Sequence, residues 1–565
     1  MIKYVIMLQM ITLLANLMWQ LQAHREKWKY ASIILSALTA LAATWFMVQQ
    51  WIAPHSEYAP FYSFLENPSC EFGLLSDSLS AIAAWVICTI TAIANYYSTG
   101  YIRKNIAIFL TQINSLSLAA IMVATANNLL QLYAFWVILT VISCFLADFD
   151  KKKTSLKTIS KMANLHLFGD IGFILSMAAL FHMWGNLNFD ENLFVGNDMQ
   201  LKKFEFISLL MLLSVFVKFA QIGPSRWLEE AIWSMPIPAT VLIHSVALLP
   251  AGTILIIRLQ NLFECSEFIQ HAIVWIGLLS TLFYSLRAVF AGSLQKILAY
   301  STIAQAGSMT VACGFSAYGA AIALFVSHAF SKAALIFAIG SVIHALSGER
   351  DIKCMGGLFE WLPKTYIVSI LTIASMVGVP LTPFYYSRKI LLNEVLGVHS
   401  SSVLISCTII TIVFSSILAS AYFFRIFYLI FHGEIKLTET GLAYLSEQNP
   451  PIIYSMYAAV FFAIFSGVFF YYALYNDVIW ADVFVFSYGE GPSAVFMFTI
   501  ANIAGLCGAG LICKSIKPIT IPFKFRLNFK INIKRLRSIN EIDRRFFKKF
   551  YLFITNKNRR NHADK

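Results

Sequence analysis

Charged side chains are scarce in this 565-residue sequence: Asp, Glu, Lys and Arg together make up 13%, against 58% hydrophobic residues. A soluble chain of this length needs charged surface on several domains, so that class is excluded. Signatures of metal and nucleotide binding are lacking too. No CxxC or Cys/His cluster has metal-ligand spacing, and neither a GxGxxG fingerprint nor a phosphate loop occurs. The nine cysteines (Cys70, Cys88, Cys144, Cys265, Cys313, Cys354, Cys407, Cys507 and Cys513) lie mostly inside apolar runs. A thiol there behaves as a small hydrophobe. No cofactor is expected in this chain, and any redox chemistry belongs to partners.

What the sequence has is long apolar runs of about twenty residues, enough to span ~30 Å of hydrocarbon. They predict an all-α polytopic membrane protein of about fifteen transmembrane helices: 2–21, 30–52, 78–99, 105–125, 128–147, 163–184, 206–222, 237–258, 268–290, 297–315, 318–346, 364–390, 402–431, 452–475 and 493–513. The first run is followed by further spans rather than a small-residue cleavage site, and reads as a retained helix.

Charge sits in the loops and alternates. HREKWK (24–29), IRK (102–104) and DFDKKKTSLKTISK (148–161) are basic, whereas 53–77 and 185–201 carry acids. Basic loops face the cytoplasm, so fifteen spans place the N-terminus in the periplasm and the C-terminus in the cytoplasm of a bacterial inner membrane. From Lys514 to Lys565 sixteen Lys or Arg stand against three acids, a net +13 that equals the formal charge of the whole chain. Within this tail, INEIDRRFFKKFYLFI (539–554) mixes cations with four phenylalanines, as an interfacial helix does. Anionic lipid or an acidic partner surface is the expected neighbour, not nucleic acid.

A few ionisable groups lie inside the spans, where a charge costs ~2.5–3.5 kcal/mol on insertion scales. Lys218 precedes Gly223-Pro224 in VKFAQIGPSRWL, and Arg388 and Lys389 follow Pro380 and Pro383 in VGVPLTPFYYSRK. Two interrupted segments at matching places in two halves are the pattern of inverted-repeat transporters, with the transport path beside the breaks. His244 lies in PIPATVLIHSVALLPAG, Asp170 in ANLHLFGDIGF, and His328 and Lys332 share one helical face. A lone membrane histidine more often packs than relays. Lys218, His244, His328 and Lys332 recur across several spans, however, and desolvated lysines and histidines exchange protons near neutral pH. Arg287 lies near a span end, where snorkelling explains it.

These motifs carry a resemblance. From Asp77 to Phe431, DSLS (77–80), YYSTGYI (96–102), LFGDIGF (167–173), GNLNF (185–189), KFAQIGPSRWL, PIPATVLIHSVALLPAG, KILAYSTIAQAGSM, SHAFSKAALIFAIGSVIHAL and DIKCMGGL follow one another. The sequence resembles the antiporter-like membrane subunits of respiratory complex I, most closely the chain L (chain 5) type, and their relatives in Mrp cation/proton antiporters. The resemblance implies two inverted five-helix repeats, each with a broken helix, around a polar axis. Expected divisions are N-terminal helices (1–104), first repeat (105–258), second repeat (268–431), C-terminal helices (432–513) and basic tail (514–565). It matches Lys218 to the family's central lysine, His244 to the histidine of the next span, His328 and Lys332 to the His and Lys of a HAFFKA-like motif, and Asp170 to the GD aspartate. His344, near its helix end, is expected to cap or pack.

Departures accompany it. Val137 in LYAFWVIL stands where the family has the glutamate that partners the central lysine, which leaves Lys218 without that carboxylate. Leu324 replaces a histidine, WLEEAIWSMPIP is one residue longer, and Arg388 stands at the lysine of the second broken helix. Arginine cannot release its proton, so Lys389 is the substitute there. The chain ends about where the family's long lateral helix begins.

The implied function is proton translocation along buried Lys and His residues, in the membrane arm of a complex I-like NADH-quinone oxidoreductase. Quinone, NADH, flavin and iron–sulfur centres are expected only in partner subunits. The alternatives are a subunit of an Mrp-type antiporter or an inorganic-carbon uptake complex, and a non-pumping scaffold paralogue, which Val137 and Arg388 favour.

Overall fold

Inside a bilayer, backbone amides and carbonyls have no water to pair with and must be satisfied within their own segment. The computed structural model describes residues 1–21, 27–63, 71–150, 155–189, 201–221, 225–397, 401–436, 445–475 and 503, and almost all are helical. They belong to one compact unit, Met1–Ile516. Among them, eleven helices are long and apolar enough to cross a membrane. The expected run 493–513 apart from Ile503, the tail from Lys514 and the Gly223-Pro224 pair lie outside the described residues.

The chain opens with α1 (Ile2–Leu21) and α2 (Lys27–Ile52). An antiparallel hairpin follows, β1 (Glu57–Ser63) and β2 (Glu71–Ser76), inside the acidic loop that the sequence reading left without structure. Asp77 then caps α3 (Ser78–Tyr101) in a reciprocal capping box with Ser80. Next come α4 (Ile106–Ala124), α5 (Leu129–Ala147), α6 (Ser155–Trp184), α7 (Leu201–Lys218), α8 (Arg226–Ser234) and α9 (Ile237–Leu242). A π-turn, Ile243–Ala247, joins α9 to α10 (Leu248–Arg258). Its cause is local: Pro250 has no N–H to donate to the carbonyl of Val246.

Short α11 (Gln260–Phe263) leads into α12 (Glu267–Phe290), α13 (Leu294–Gly314) and α14 (Tyr318–Ala345). The remaining helices are α15 (Pro363–Val377), α16 (Pro383–Gly397), α17 (Ser402–Phe431) and α18 (Pro450–Tyr475). The runs expected at 206–222 and 297–315 do form helices, α7 and α13, but neither is among the eleven. Lys202, Lys203 and Glu205 open α7, and α13 carries Ser301, Thr302, Gln305, Ser308 and Thr310.

Burial orders these helices from centre to rim. α14 and the α9–α10 span are buried along their whole apolar windows and α3 along 94%, whereas α1, α2, α6 and α17 are buried along only 33–39%. The central helices carry His244, His328 and Lys332, and the outer ones turn apolar faces outward, α6 keeping His166 and Asp170 on its buried side. Close approach is built in where α12 meets α13: a Cβ on Gly277 would sit 2.8 Å from the carbonyl oxygen of Gly307, and the reverse also holds.

Both interrupted runs end in the same way. In α7 the amide of Gln221 donates to Phe216 at 3.0 Å and that of Ala220 to Val217 at 3.1 Å, with Ala220 left-handed (φ 54°). In α15 Val379 donates to Ala374 and Gly378 to Ser375, each at 3.1 Å, with Gly378 left-handed (φ 87°). Each is a Schellman stop. The second uses the residue that tolerates the conformation; the first forces it on an alanine at a cost of about 1–2 kcal/mol.

Candidate functional site

The stop at Ala220 puts Lys218 in the last turn of α7, where unpaired carbonyls concentrate negative potential. The side chain is buried at 3% exposure. Its Nζ donates to the carbonyl of Trp136 at 2.9 Å and to Thr140 Oγ1 at 2.7 Å, both on α5, and lies 4.6 Å from the centre of the Trp136 ring. An ammonium has three hydrogens and a neutral amine two. Lys218 keeps both hydrogen bonds in either state, so releasing a proton breaks neither.

Asp170 and Cys144 act electrostatically on Lys218, and Asp170 interacts with the side chain of Trp136 as well. Val137 brings no carboxylate to the lysine, and Asp170, buried on α6, is the acid that acts on it electrostatically.

A second centre lies between α13 and α14. Lys332, fully buried, donates to the carbonyl of Leu298 at 3.0 Å and to Ser301 Oγ at 2.6 Å. The setting repeats that of Lys218, with one carbonyl and one hydroxyl about a turn further on. Thr302 Oγ1 donates to the same Leu298 carbonyl, so its lone pair accepts from His244 Nδ1–H at 2.6 Å. His244 lies in the π-turn, and its ring reaches Thr302 of α13. His328 is one turn before Lys332, and the two histidines and the lysine interact electrostatically. His244 Nε2 and both ring nitrogens of His328 are buried without a protein partner among the described residues.

Buried polar groups lie between the two centres. Just past Lys218, Gln221 Nε2 donates to Thr310 Oγ1 of α13 at 2.6 Å, and Ser280 of α12 donates to Gln221 Oε1 at 3.4 Å. From Thr310 the buried side chains of Ser308 and Gln305 lead back along α13 to Thr302 and Ser301. Eight residues of helix, from 310 to 302, cover ~12 Å.

Arg388 is elsewhere. It reaches back from α16 to the end of α15, donating from Nη1 to Val377 at 2.6 Å and from Nη2 to Met376 at 3.3 Å. The corresponding capping group in the first break is neutral: Trp227 Nε1 donates to Val217 at 3.1 Å. Lys389 is half-buried on α16. Arg287 is 40% exposed, hydrogen-bonds Tyr300 Oη at 2.5 Å and pairs with Glu229 at 3.7 Å. His344 packs on Tyr101 and bonds Gln448 Oε1 through Nδ1.

Sequence reading missed His166, Thr140, Ser301 and Thr302. His166 is buried one turn before Asp170 and is acted on by Lys218. Its spacing of four from Asp170 was the available signal. The hydroxyls had none, because only tertiary packing brings them to the lysines.

The family described as NADH:quinone oxidoreductase/Mrp antiporter, transmembrane, matches residues 126–418, a stretch that includes both lysine centres. The chain belongs to that family. NADH-ubiquinone oxidoreductase chain 5 of Yarrowia lipolytica is 30% identical over 395 residues, 69% of this chain and 60% of that protein. NADH-quinone oxidoreductase subunit L of Rickettsia typhi is 29% identical over 486 residues, 83% of this chain and 73% of that one. The chain spans about three-fifths of the length of several curated chain 5 relatives. Among solved structures, the Mrp complex from Dietzia sp. DQ12-45-1b matches with a TM-score of 0.75 at 17% identity, over 97% of this chain and 60% of that one. The archaeal membrane-bound sulfane sulfur reductase matches with 0.72 at 19%, over 89% and 98%. At these identities the likeness is one of fold. As a member of this family with eleven candidate spans, the chain is a multi-pass membrane protein.

Proposed function

We propose that this chain is the proton-translocating membrane subunit of a complex I-like NADH-quinone oxidoreductase. The observation that carries the reading is the shared setting of Lys218 and Lys332. Each buried amine rests on a carbonyl and a hydroxyl that it holds with or without its third hydrogen. A proton leaves or arrives without breaking a hydrogen bond, which suits a carrier and not a structural ion pair.

Asp170 supplies the negative charge that favours a proton on Lys218 in the first centre, and His244 and His328 are the further carriers of the second. Water is the expected partner of their bare nitrogens and the link along Gln221, Thr310, Ser308 and Gln305. In this reading 105–258 and 268–431 are inverted repeats with breaks at Ala220 and Gly378, and fifteen spans leave the N-terminus periplasmic and the basic tail against anionic lipid or a partner. Redox cofactors reside in partner subunits.

Arg388 favours a second reading of the distal half. Fixed on two carbonyls and unable to release its proton, it acts as a charge gate, and at the limit the subunit is a scaffold. Proton flux into vesicles holding the native assembly decides. Lys218→Ala abolishes this subunit's share of the flux under the proposal and leaves the assembly's flux unchanged if the chain is a scaffold.

A further inference from the structure

His166 belongs to no motif that the family reading uses, yet it sits between the first centre and a charged rim. On α6 three polar groups follow one another inward. Lys161, half-exposed, pairs with Glu230 of α8 at 2.5 Å; His166 is buried five residues on; Asp170 is buried four further. Those steps are ~7.5 Å and ~6 Å along the axis. Opposite them on α8, Glu229 and Glu230 lie two and three residues beyond Trp227. The His166 ring packs on Trp227 at 4.5 Å between centroids, and the Trp227 indole is tied to the carbonyl of Val217, the residue next to Lys218. One aromatic side chain thus bridges from His166 to the turn that holds the lysine.

We propose that His166 is a proton-carrying residue of the first centre, receiving protons from the Glu229/Glu230 rim and passing them to Lys218. The proposal rests on the proton-path reading above and names its entry. The step balances simply. A proton adds to the unprotonated ring nitrogen of the imidazole, giving imidazolium. A proton then passes, directly or through water, to the neutral Lys218 amine, which becomes ammonium while the imidazole is restored. No electron moves and no bond other than N–H changes.

The surroundings suit a relay. The groups that could set its charge are Lys161 and Asp170 on its own helix, Lys218 on α7, Tyr133 and Cys144 on α5, and Arg226, Glu229 and Glu230 on α8. Of these, Lys218 acts on the ring electrostatically, so a proton on one disfavours a proton on the other. That coupling moves a proton onward instead of storing two. A purely packing histidine against Trp227 needs no such neighbour, and phenylalanine would serve there equally well.

The test uses vesicles holding the native membrane assembly, with proton flux driven by an imposed potassium diffusion potential and normalised to the amount of this subunit present. His166→Gln and His166→Asn keep a polar side chain but cannot titrate; each is expected to lower the Lys218-dependent flux at least tenfold. His166→Glu, which titrates, is expected to recover part of that flux, with its pH profile moved to the acid side. Wild-type flux with an unchanged pH profile in either amide variant, alongside loss of flux in Lys218→Ala, overturns the role of His166 and leaves the path intact. Unchanged flux in Lys218→Ala removes the path itself. Equal losses in Gln, Asn and Glu variants assign His166 to packing and also overturn the proposal.

Discussion

The guanidinium of Arg388 donates to the carbonyl oxygen of Val377 at 2.6 Å, across the gap between the two halves of the second broken helix. A cation at a helix C-terminus is favourable, and this one also satisfies Met376. Where the first break leaves the Lys218 amine on two neutral acceptors, the charge here is committed to holding a helix end. Arg388→Lys retains the cation but not the fork. We expect a stability loss of about 1.5–3 kcal/mol, the range of one hydrogen bond to a charged group, with proton flux preserved or raised because lysine can release its proton. Thermal unfolding of the purified assembly and vesicle flux, measured on the same preparation, check both halves. Undiminished stability with lowered flux would contradict this account of the cap.

Asp170 is predicted to replace the carboxylate that Val137 lacks. Asp170→Asn should lower flux several-fold with the subunit still assembled, and adding Val137→Glu to that variant should restore it. Flux that stays low in the double variant, at normal subunit levels, would show that the acid's position on α6 matters and not its charge alone.

Outside the membrane spans, Asp77 ties the start of α3 to Arg258 at the end of α10, through contacts from both Nη1 and Nη2. Burial raises its affinity for a proton, but Arg258 and the Ser80 cap outweigh it and hold the carboxyl below its ordinary range. A depressed carboxylate stabilises the folded chain fully above its unfolded value near pH 4 and loses that contribution as pH falls through the lower folded value. Unfolding midpoints should therefore drop on acidification in wild type and vary less with pH in Asp77→Asn. That variant should also be less stable by roughly 1.5–3 kcal/mol at pH 7, the range of a hydrogen bond to a charged group, since the pair is partly buried. Parallel pH curves would remove Asp77 as the source.

The first break allows a simpler check. Ala220 is left-handed without a glycine's freedom, so Ala220→Gly should raise stability by about 1 kcal/mol. A fall in the unfolding midpoint would mean that the strain argument fails there.

Much of this was legible beforehand, for identifiable reasons. Apolar length gave the helices, and an ionisable residue in such a run announces itself, as Lys218, His244, His328 and Lys332 did. Pro380 and Pro383 marked the second break. What stayed hidden depends on packing. Nothing in LYAFWVILT says that a carbonyl and the Thr140 hydroxyl will hold a lysine from another helix. The α13 hydroxyls read as tolerated polar residues until the fold set Ser301 and Thr302 beside Lys332 and His244. The absence of a glutamate at Val137 pointed to a lysine without a carboxylate, because only the fold brings Asp170 from α6 to face it. Ala220 gives no sign of its conformation, and the β1–β2 hairpin was masked by a loop read for its charge alone.

The most direct test of the central claim is proton flux in vesicles carrying the native assembly, compared among wild type, Lys218→Ala and Lys332→Ala at equal subunit content. If both amines are carriers on one path, each single variant abolishes the flux due to this subunit, and the double variant loses no more than either alone. Wild-type flux in Lys218→Ala and Lys332→Ala would contradict the account and leave the chain a scaffold.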